Sequence, residues 1–160
     1  MMKKLLLLCL TAGFILLAQT ESKAQSTYKN AIGGRFGEAN GVTFKTFVNN
    51  QDALDFILNF QSRGNYSYFR LTGLYEVHKP IQNAAGLRYY YGAGATLGSR
   101  KDKRYDQSEL LAGIDGVLGI DYKFDGAPIN LALDWKPELV IAPDTDFEAR
   151  GLGLSVRFTF

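Results

Sequence analysis

The feature that most constrains this chain is the strict two-residue alternation of residues 152–160. Successive side chains of a β-strand point to opposite faces, so one face of this stretch is wholly apolar and the other is small or polar. A soluble domain would bury such a stripe, whereas a membrane barrel would turn it to lipid. The apolar positions are Leu152, Leu154, Val156, Phe158 and Phe160.

The first 24 residues have the pattern of a cleaved secretory signal peptide. A lysine pair that begins at Lys3 precedes an apolar run that ends at Ala18, and small residues flank the expected cleavage position after Ala24. This apolar run is shorter than the about 20 residues that a membrane-spanning helix needs. We therefore expect residues 1–24 to be removed and residues 25–160 to form a single domain.

Removal of the signal peptide changes the chemistry that is available to the chain. The only cysteine, Cys9, lies in the removed segment, so neither a disulfide nor a thiolate metal site is expected in the mature protein. The removed segment carries three lysines and one glutamate, a net charge of +2, which equals the net charge of the whole sequence. A mature chain that is close to neutral gives no support for nucleic-acid binding.

Turn residues divide the remainder of the chain into eight predicted strands, an even number, with little helix. The predicted strands span residues 28–37, 42–48, 53–63, 65–78, 86–98, 109–124, 129–140 and 147–160. In almost all of them one face is apolar and the other is charged or small. The alternation is weakest in the first two strands.

Two observations favour a transmembrane barrel over a soluble barrel or sandwich. The polar faces contain many glycines, alanines and threonines between their charges, which suits a narrow interior better than a surface in water. The apolar faces carry aromatic side chains near the strand ends, as in the girdles of membrane barrels; these are Tyr75, Tyr89, Tyr122, Phe124, Trp135, Phe158 and Phe160. The sequence thus predicts an all-β fold, an eight-stranded antiparallel up-and-down transmembrane β-barrel with a filled polar lumen. A soluble secreted barrel that binds an apolar ligand is the alternative.

Charged residues of both signs fall on the predicted inward faces. The interior of an eight-stranded barrel is only wide enough for side chains to fill it, so these charges should pair across the lumen. A conduit for protons or small ions is the functional alternative. The predicted lumen charge network consists of Arg35, Lys45, Asp55, Arg70, Glu76, Arg88, Asp115, Asp121, Lys123, Asp134, Lys136, Glu138 and Arg157.

Several stretches resemble the small eight-stranded outer-membrane barrels of Gram-negative bacteria, in particular a Bacteroidota type with an architecture like that of outer-membrane proteins X and W. They are residues 74–79, 89–94, 113–119, 133–137 and 153–160. The resemblance implies an outer-membrane location and no particular activity. We expect contact with outer-membrane lipid and lipopolysaccharide, a monomer, and a structural or surface-interaction role without an open pore. The resemblance also implies insertion by the barrel assembly machinery, which recognises the final strand; the expected insertion signal is Leu154, Val156, Phe158 and Phe160.

A charged loop predicted at residues 99–108 is a candidate surface contact. In the outer-membrane topology this loop is extracellular, where basic side chains could meet lipopolysaccharide phosphates or a partner surface. A solvated loop without a partner is the simpler interpretation. The candidate residues are Arg100, Lys101, Lys103, Arg104 and Tyr105.

Catalysis has little support in the sequence. His78 is the only histidine, with Glu76 on the same strand face, and outer-membrane lipid-modifying enzymes use a histidine with a serine and an acid. Their chemistry takes place at the outer leaflet, whereas the predicted topology places His78 at the periplasmic end. One histidine without cysteine also cannot form a zinc site. We therefore predict no enzymatic activity, no cofactor and no metal, with a lipid-modifying enzyme as the alternative.

Overall fold

The structure is a computed structural model that describes residues 28–38, 40–63, 66–102 and 107–160. The predicted signal peptide, residues 1–24, lies outside the described residues, as do Lys103, Arg104 and Tyr105 of the candidate surface contact. Among the described residues, no helix is long and apolar enough to cross a bilayer.

Antiparallel strands follow one another along the described chain: β1 (Asn30–Gly37), β2 (Gly41–Phe47), β3 (Asp52–Arg63), β4 (Tyr66–Pro80), β5 (Leu87–Asp102), β6 (Gln107–Lys123), β7 (Ile129–Trp135), β8 (Glu138–Ala142), β9 (Asp146–Glu148) and β10 (Leu152–Thr159). Neighbours pair in the order β5-β4-β3-β2-β1-β10-β7-β6-β8-β9, and a further β5–β6 pairing closes the sheet on itself. β7 with β8 and β9 with β10 each form one pass across the wall. The chain is therefore a closed eight-stranded antiparallel barrel, which confirms the predicted fold class.

The last two passes are interrupted, which the sequence did not predict. Residues 129–140 were expected to form one strand, but the strand stops after Trp135 and resumes at Glu138. Pro137 has no N–H to donate to the sheet, and proline disrupts strands for that reason. The wall nevertheless continues, because β6 pairs with both halves of the pass. The final pass is similarly interrupted between Glu148 and Leu152.

The first and last described strands close the barrel at one end. Asn30 and Phe160 exchange two backbone hydrogen bonds of 2.8 and 2.9 Å. We call this the termini end, and it also holds the turns at residues 48–51, 81–86 and 124–128. The opposite end, with the turns at residues 38–40 and 143–145, is called the loop end. The loop predicted at residues 99–108 is shorter than expected, because β5 continues to Asp102 and β6 begins at Gln107.

Burial is inverted relative to a soluble protein. On β10, Leu154 and Phe158 are 45% and 54% exposed, whereas Ser155 and Arg157 are buried. The same holds around the wall, where large apolar side chains point outward and charged or small side chains point inward. The soluble alternative requires the apolar faces to point inward, so this arrangement contradicts it.

Side chains fill the interior along its length. An apolar cluster near the termini end consists of Tyr28, Ala31, Phe47 and Ala53. A second cluster crosses the middle of the barrel and consists of Ile57, Leu74, Tyr90, Val117 and Ala132. Charged and polar side chains occupy the space between and beyond these clusters. They form the most extensive polar arrangement in the described part of the chain.

Candidate functional site

A histidine-centred group of charges lies in the lumen towards the termini end. Lys45 Nζ lies 2.6 Å from Glu76 Oε2, and His78 Nε2 lies 2.9 Å from the same carboxylate oxygen. The other ring nitrogen, Nδ1, faces Asp121 Oδ1 at 3.5 Å. The ring stacks on Tyr90 with centroids 4.8 Å apart. The Phe47 ring meets it edge-on with centroids 4.9 Å apart, so the imidazole lies between two carboxylates and two aromatic rings.

Arg157 links the last strand to the second and third strands across the lumen. Its Nη2 donates to Asp55 Oδ2 at 2.7 Å, and its Nε donates to Thr43 Oγ1 at 3.1 Å. Thr43 in turn donates to Asp55 Oδ1 at 2.6 Å. All three side chains are buried. Charge-assisted hydrogen bonds of this kind are stronger than neutral ones, and burial protects them from screening by salt.

Asp121 accepts two hydrogen bonds and also lies beside Arg88. Asn130 Nδ2 donates to its Oδ2 at 2.9 Å and the Tyr28 hydroxyl donates to the same atom at 3.2 Å. Arg88 Nε lies 3.6 Å from Oδ1, while the guanidinium lies 4.9 Å from the centroid of the Phe47 ring. Cation and ring together cover the lumen at the termini end.

Arg35 and Asp134 form the central ion pair of the barrel. Two hydrogen bonds of 2.7 and 2.6 Å join the guanidinium to the carboxylate. The Tyr90 hydroxyl also donates to Asp134, at 2.8 Å. Gly119 makes room for this group, because a Cβ there would lie 2.6 Å from both Tyr90 Cζ and Asp134 Cβ. Glycine on the lumen face therefore permits the crowding.

Two more ion pairs lie towards the loop end. Lys136 Nζ lies 2.5 Å from Asp115 Oδ1, and Thr96 donates to the other oxygen of that carboxylate at 2.6 Å. Arg70 Nη2 lies 2.9 Å from Glu138 Oε1. Twelve of the predicted network residues thus meet an opposite charge within the lumen.

The contacts of Lys123 differ from those predicted for the lumen charge network. Its ammonium donates to the backbone carbonyls of Phe124 and Ala127 at 2.7 and 2.6 Å. These carbonyls belong to the turn between β6 and β7, where a lysine can satisfy otherwise unpaired acceptors. Lys123 therefore fastens a turn at the termini end and does not join the charges inside the barrel.

The prediction omitted several uncharged or aromatic members of the network. Tyr28, Thr43, His78, Tyr90 and Asn130 all contact lumen carboxylates or the arginine that binds them. Each lies on the inward face of its strand or beside it. A residue two positions from a predicted inward charge lies on the same strand face, which could have identified some of them. Tyr90 follows Arg88 by two residues, and His78 follows Glu76 by two.

A cavity of about 490 Å³ opens at the loop end, above the Arg35–Asp134 pair. Its floor contains Arg35, Arg70, Lys136 and Glu138. Its rim contains carboxylates and two arginines, namely Glu38, Arg100, Asp144, Asp146, Glu148 and Arg150. We call this the loop-end cavity. Its volume lies in the range of small-molecule sites, which often occupy the mouths of barrels.

The remaining predicted residues lie at the loop end or on the outer wall. Arg100 lines the loop-end cavity and forms an exposed ion pair of 2.7 Å with Glu109 of the neighbouring strand, and Lys101 is the next residue of β5. The expected insertion signal points outward along β10; Leu154, Val156, Phe158 and Phe160 are each at least 40% exposed. His78 is 1% exposed, so the one described histidine is enclosed in the lumen.

Comparison with solved structures agrees with the geometry. The crystal structure of the N-terminal β-barrel domain of Pseudomonas aeruginosa OprF matches with a TM-score of 0.64 and 15% sequence identity, over 86% of this chain and 100% of that one. The crystal structure of Neisserial surface protein A (NspA) matches with a TM-score of 0.54 and 13% identity, over 82% and 93%. This is the fold of the outer-membrane barrels. No protein-family model and no curated protein matches the sequence.

Proposed function

We propose that this protein is an outer-membrane β-barrel with a structural or surface-interaction role and without an open pore. The observation that carries the proposal is the combination of a lipid-like outside and a polar, filled inside. Large apolar side chains are exposed around the wall, and buried charges pair within it. In water this arrangement would expose far more contiguous apolar surface than a monomeric protein tolerates. In a bilayer it is the stable one.

Aromatic pairs at both ends of the outer face support a membrane position. At the termini end, Tyr122 and Phe124 have ring centroids 4.7 Å apart, and β10 ends in the outward Phe158 and Phe160. Towards the loop end, Phe60 and Phe69 have centroids 5.3 Å apart. Aromatic rings at two levels are the girdles that anchor barrels at the two membrane interfaces.

The proposed orientation follows from the ends of the barrel. In the outer-membrane barrels that this sequence resembles, the final strand ends in the periplasm, and Phe160 lies at the termini end. The termini end then faces the periplasm, and the loop-end cavity faces the exterior. Arg100 and Lys101 lie at this exterior end. In this proposal the last strand also carries the signal for the assembly machinery, and the chain is a barrel of the Bacteroidota type that its sequence resembles.

The absence of a pore is proposed from the contents of the lumen. Arg157 bonded to Asp55, and Arg35 bonded to Asp134, cross the interior at different heights. Tyr90 lies between them with no exposed surface. An ion would have to displace these paired charges to pass, and breaking a buried ion pair costs about 3–5 kcal/mol. A role in structure or in surface contact fits this interior better than transport does.

Cell fractionation with surface proteolysis tests the location. The protein should appear in the outer-membrane fraction, and protease added to intact cells should cut between Asp102 and Gln107. A soluble periplasmic fraction would contradict the proposal.

Planar bilayers test the closed lumen. Purified protein should show no steady conductance steps, and stable openings of constant size would overturn the closed interior.

Two accompanying proposals have tests of their own. Neutralising Arg100, Lys101, Lys103 and Arg104 together should weaken binding to lipopolysaccharide, and unchanged binding would remove the surface-contact proposal. His78→Ala should leave the lipid A profile of the cell unchanged, since the ring is enclosed in the lumen. An altered profile with an intact barrel would favour the lipid-modifying enzyme instead.

A further inference from the structure

The wall of the barrel has a notch at the loop end, over the turn between β1 and β2. The pairing of β2 with β3 stops at Gly41 opposite Asn59, and a 3.4 Å hydrogen bond from Phe60 N to Asn40 O lies just beyond it. β3 continues to Arg63, paired only with β4 on its other side. Within the residues that the structure describes, β9 pairs with β8 alone.

The notch is wide enough to admit a molecular group. Two strands, β1 and β2, separate β3 from the pass that β9 and β10 form, and strands are spaced about 4.8 Å apart, so above the β1–β2 hairpin the gap measured across the strands is about 14 Å. The upper part of β3 rises about 3.4 Å per residue above the short hairpin. Glu38, Asn59 and Gln61, which border the notch, line the loop-end cavity, so the cavity extends to the notch.

The outer border of the notch is apolar. Phe36 of β1, Phe60 of β3 and Phe147 of β9 are 53%, 56% and 61% exposed, and Leu152 below β9 is 65% exposed. Phe147 points outward because it pairs with the outward Leu139. These side chains continue the lipid-facing belt up to the opening. Acyl chains of a lipid could lie against them without leaving the membrane.

The inner border of the notch is charged. Opposite the outward Phe147, its two neighbours in β9, Asp146 and Glu148, point into the loop-end cavity and line it. Both are exposed, and no ion pair of theirs lies in the described region. At this mouth four carboxylates, Glu38, Asp144, Asp146 and Glu148, outnumber two arginines, Arg100 and Arg150, so an ammonium group is favoured there. A charged donor also makes the stronger hydrogen bonds to a carboxylate.

The floor of the cavity carries positively charged side chains. Arg70 and Lys136 are held there by Glu138 and Asp115. Arg70 Nε is buried and, among the described atoms, has no hydrogen-bond acceptor. Arginine and lysine are the side chains that bind phosphate oxygens, and arginine does so with several donors at once. A phosphate oxygen would supply the acceptor that Nε lacks.

We propose that the notch and the loop-end cavity together bind the zwitterionic phosphate–ammonium headgroup of a membrane amphiphile, of the phosphoethanolamine kind. The phosphate lies at Arg70 and Lys136, the ammonium at Asp146 and Glu148, and the acyl chains on the apolar border outside. This site goes beyond the proposed structural or surface role, because it assigns a ligand class to one opening of the barrel.

Native mass spectrometry of the full mature chain in detergent micelles tests the proposal. Micelles contain dioleoyl phosphatidylethanolamine in one arm and dioleoyl phosphatidylglycerol in the other, which has the phosphate but no ammonium. The protein should retain the first lipid about tenfold better, the size of effect expected from one charge-assisted hydrogen bond. Equal retention of the two lipids would overturn the proposal.

Variants identify the site. Asp146→Asn with Glu148→Gln should abolish the preference, and these side chains are exposed, so the barrel should still fold. Arg70→Gln should weaken retention of both lipids. Lys79→Gln removes one charge at the termini end and should change nothing. A preference that survives in the Asp146→Asn, Glu148→Gln protein would overturn the assignment.

A third arm separates a lipid from a soluble ligand. Free phosphoethanolamine carries the same headgroup without acyl chains and should compete only at concentrations far above those of the lipid. Competition at equal concentration would overturn a membrane amphiphile as the ligand. Heat-modifiable gel mobility of each variant, compared with the parent protein, shows whether the barrel is intact.

Discussion

Arg35 of β1 and Asp134 of β7 join across β10, which lies between their strands, through hydrogen bonds of 2.7 and 2.6 Å. The pair therefore bridges the seam where the first and last passes of the barrel meet. Both side chains are buried, at 6% and 3% exposed. A bidentate contact in this place holds the seam closed from the inside, while the backbone bonds of Asn30 and Phe160 hold it at the termini end.

Breaking this pair should destabilise the barrel strongly. Asp134→Asn leaves the Arg35 guanidinium without its counter-charge, and removal of one partner of a buried pair costs about 3–5 kcal/mol. Urea unfolding of refolded protein in micelles measures the change. The double variant Arg35→Leu, Asp134→Leu should lose less than Asp134→Asn alone, because no charge is then left unpaired.

An exposed ion pair provides the control for that measurement. Arg100→Gln removes a contact with Glu109 of similar length, 2.7 Å, but both side chains are almost half exposed. Such pairs contribute about 0–1 kcal/mol. Similar losses for Asp134→Asn and Arg100→Gln would contradict the role assigned to the buried pair.

The space around Arg35 depends on Gly153. A Cβ at this position would lie 2.3 Å from the Arg35 Cζ and Nη2 atoms, which are fixed by Asp134. Gly153→Ala should therefore displace the guanidinium. Overpacking of this kind lowers the free energy of unfolding by about 1–3 kcal/mol. Gly116→Ala is the matched control, since its Cβ would meet only Pro137 Cγ, at an ordinary 3.6 Å. Equal effects of the two substitutions would argue against crowding at Arg35.

Much of the fold follows from the two-residue period. Alternation in residues 152–160 predicted which side chains point outward, and the buried Ser155 and Arg157 with the exposed Leu154 agree with it. The same period predicted the inward faces of the eight strands, which turn residues separate. A strand has only two faces, so one outward residue determines which side chains of that strand point outward.

Other features depend on contacts that the period does not encode. Arg157 and Asp55 are 102 residues apart, and only the stagger of the closed barrel brings them to one height. Lys123 lies on a lumen-parity position, but nearby turn carbonyls capture its ammonium. The interruption at Pro137 could have been predicted from the missing N–H, although not that β6 would bridge it.

Removing the buried ion pair of Arg157 and Asp55 should open the lumen. Arg157→Ala with Asp55→Ala deletes two buried side chains of opposite sign, so the charge balance is kept while the interior loses volume. We expect the parent protein to show no current in planar bilayers and this double variant to show brief openings. Arg100→Ala with Glu109→Ala deletes an ion pair that is exposed at the loop end and should remain silent. Silence of both variants would mean that other side chains close the lumen.

The last strand should matter for assembly beyond its contact with lipid. Phe158 of β10 and Phe56 of β3 are both outward-facing, at 54% and 44% exposed, so serine at either site removes a similar apolar contact. Refolding of the two variants into detergent micelles, without the assembly machinery, should therefore succeed equally. In cells, Phe158→Ser should lower the outer-membrane level several-fold more than Phe56→Ser, because only β10 carries the proposed insertion signal. Equal levels of the two variants in the outer membrane would remove that role from Phe158.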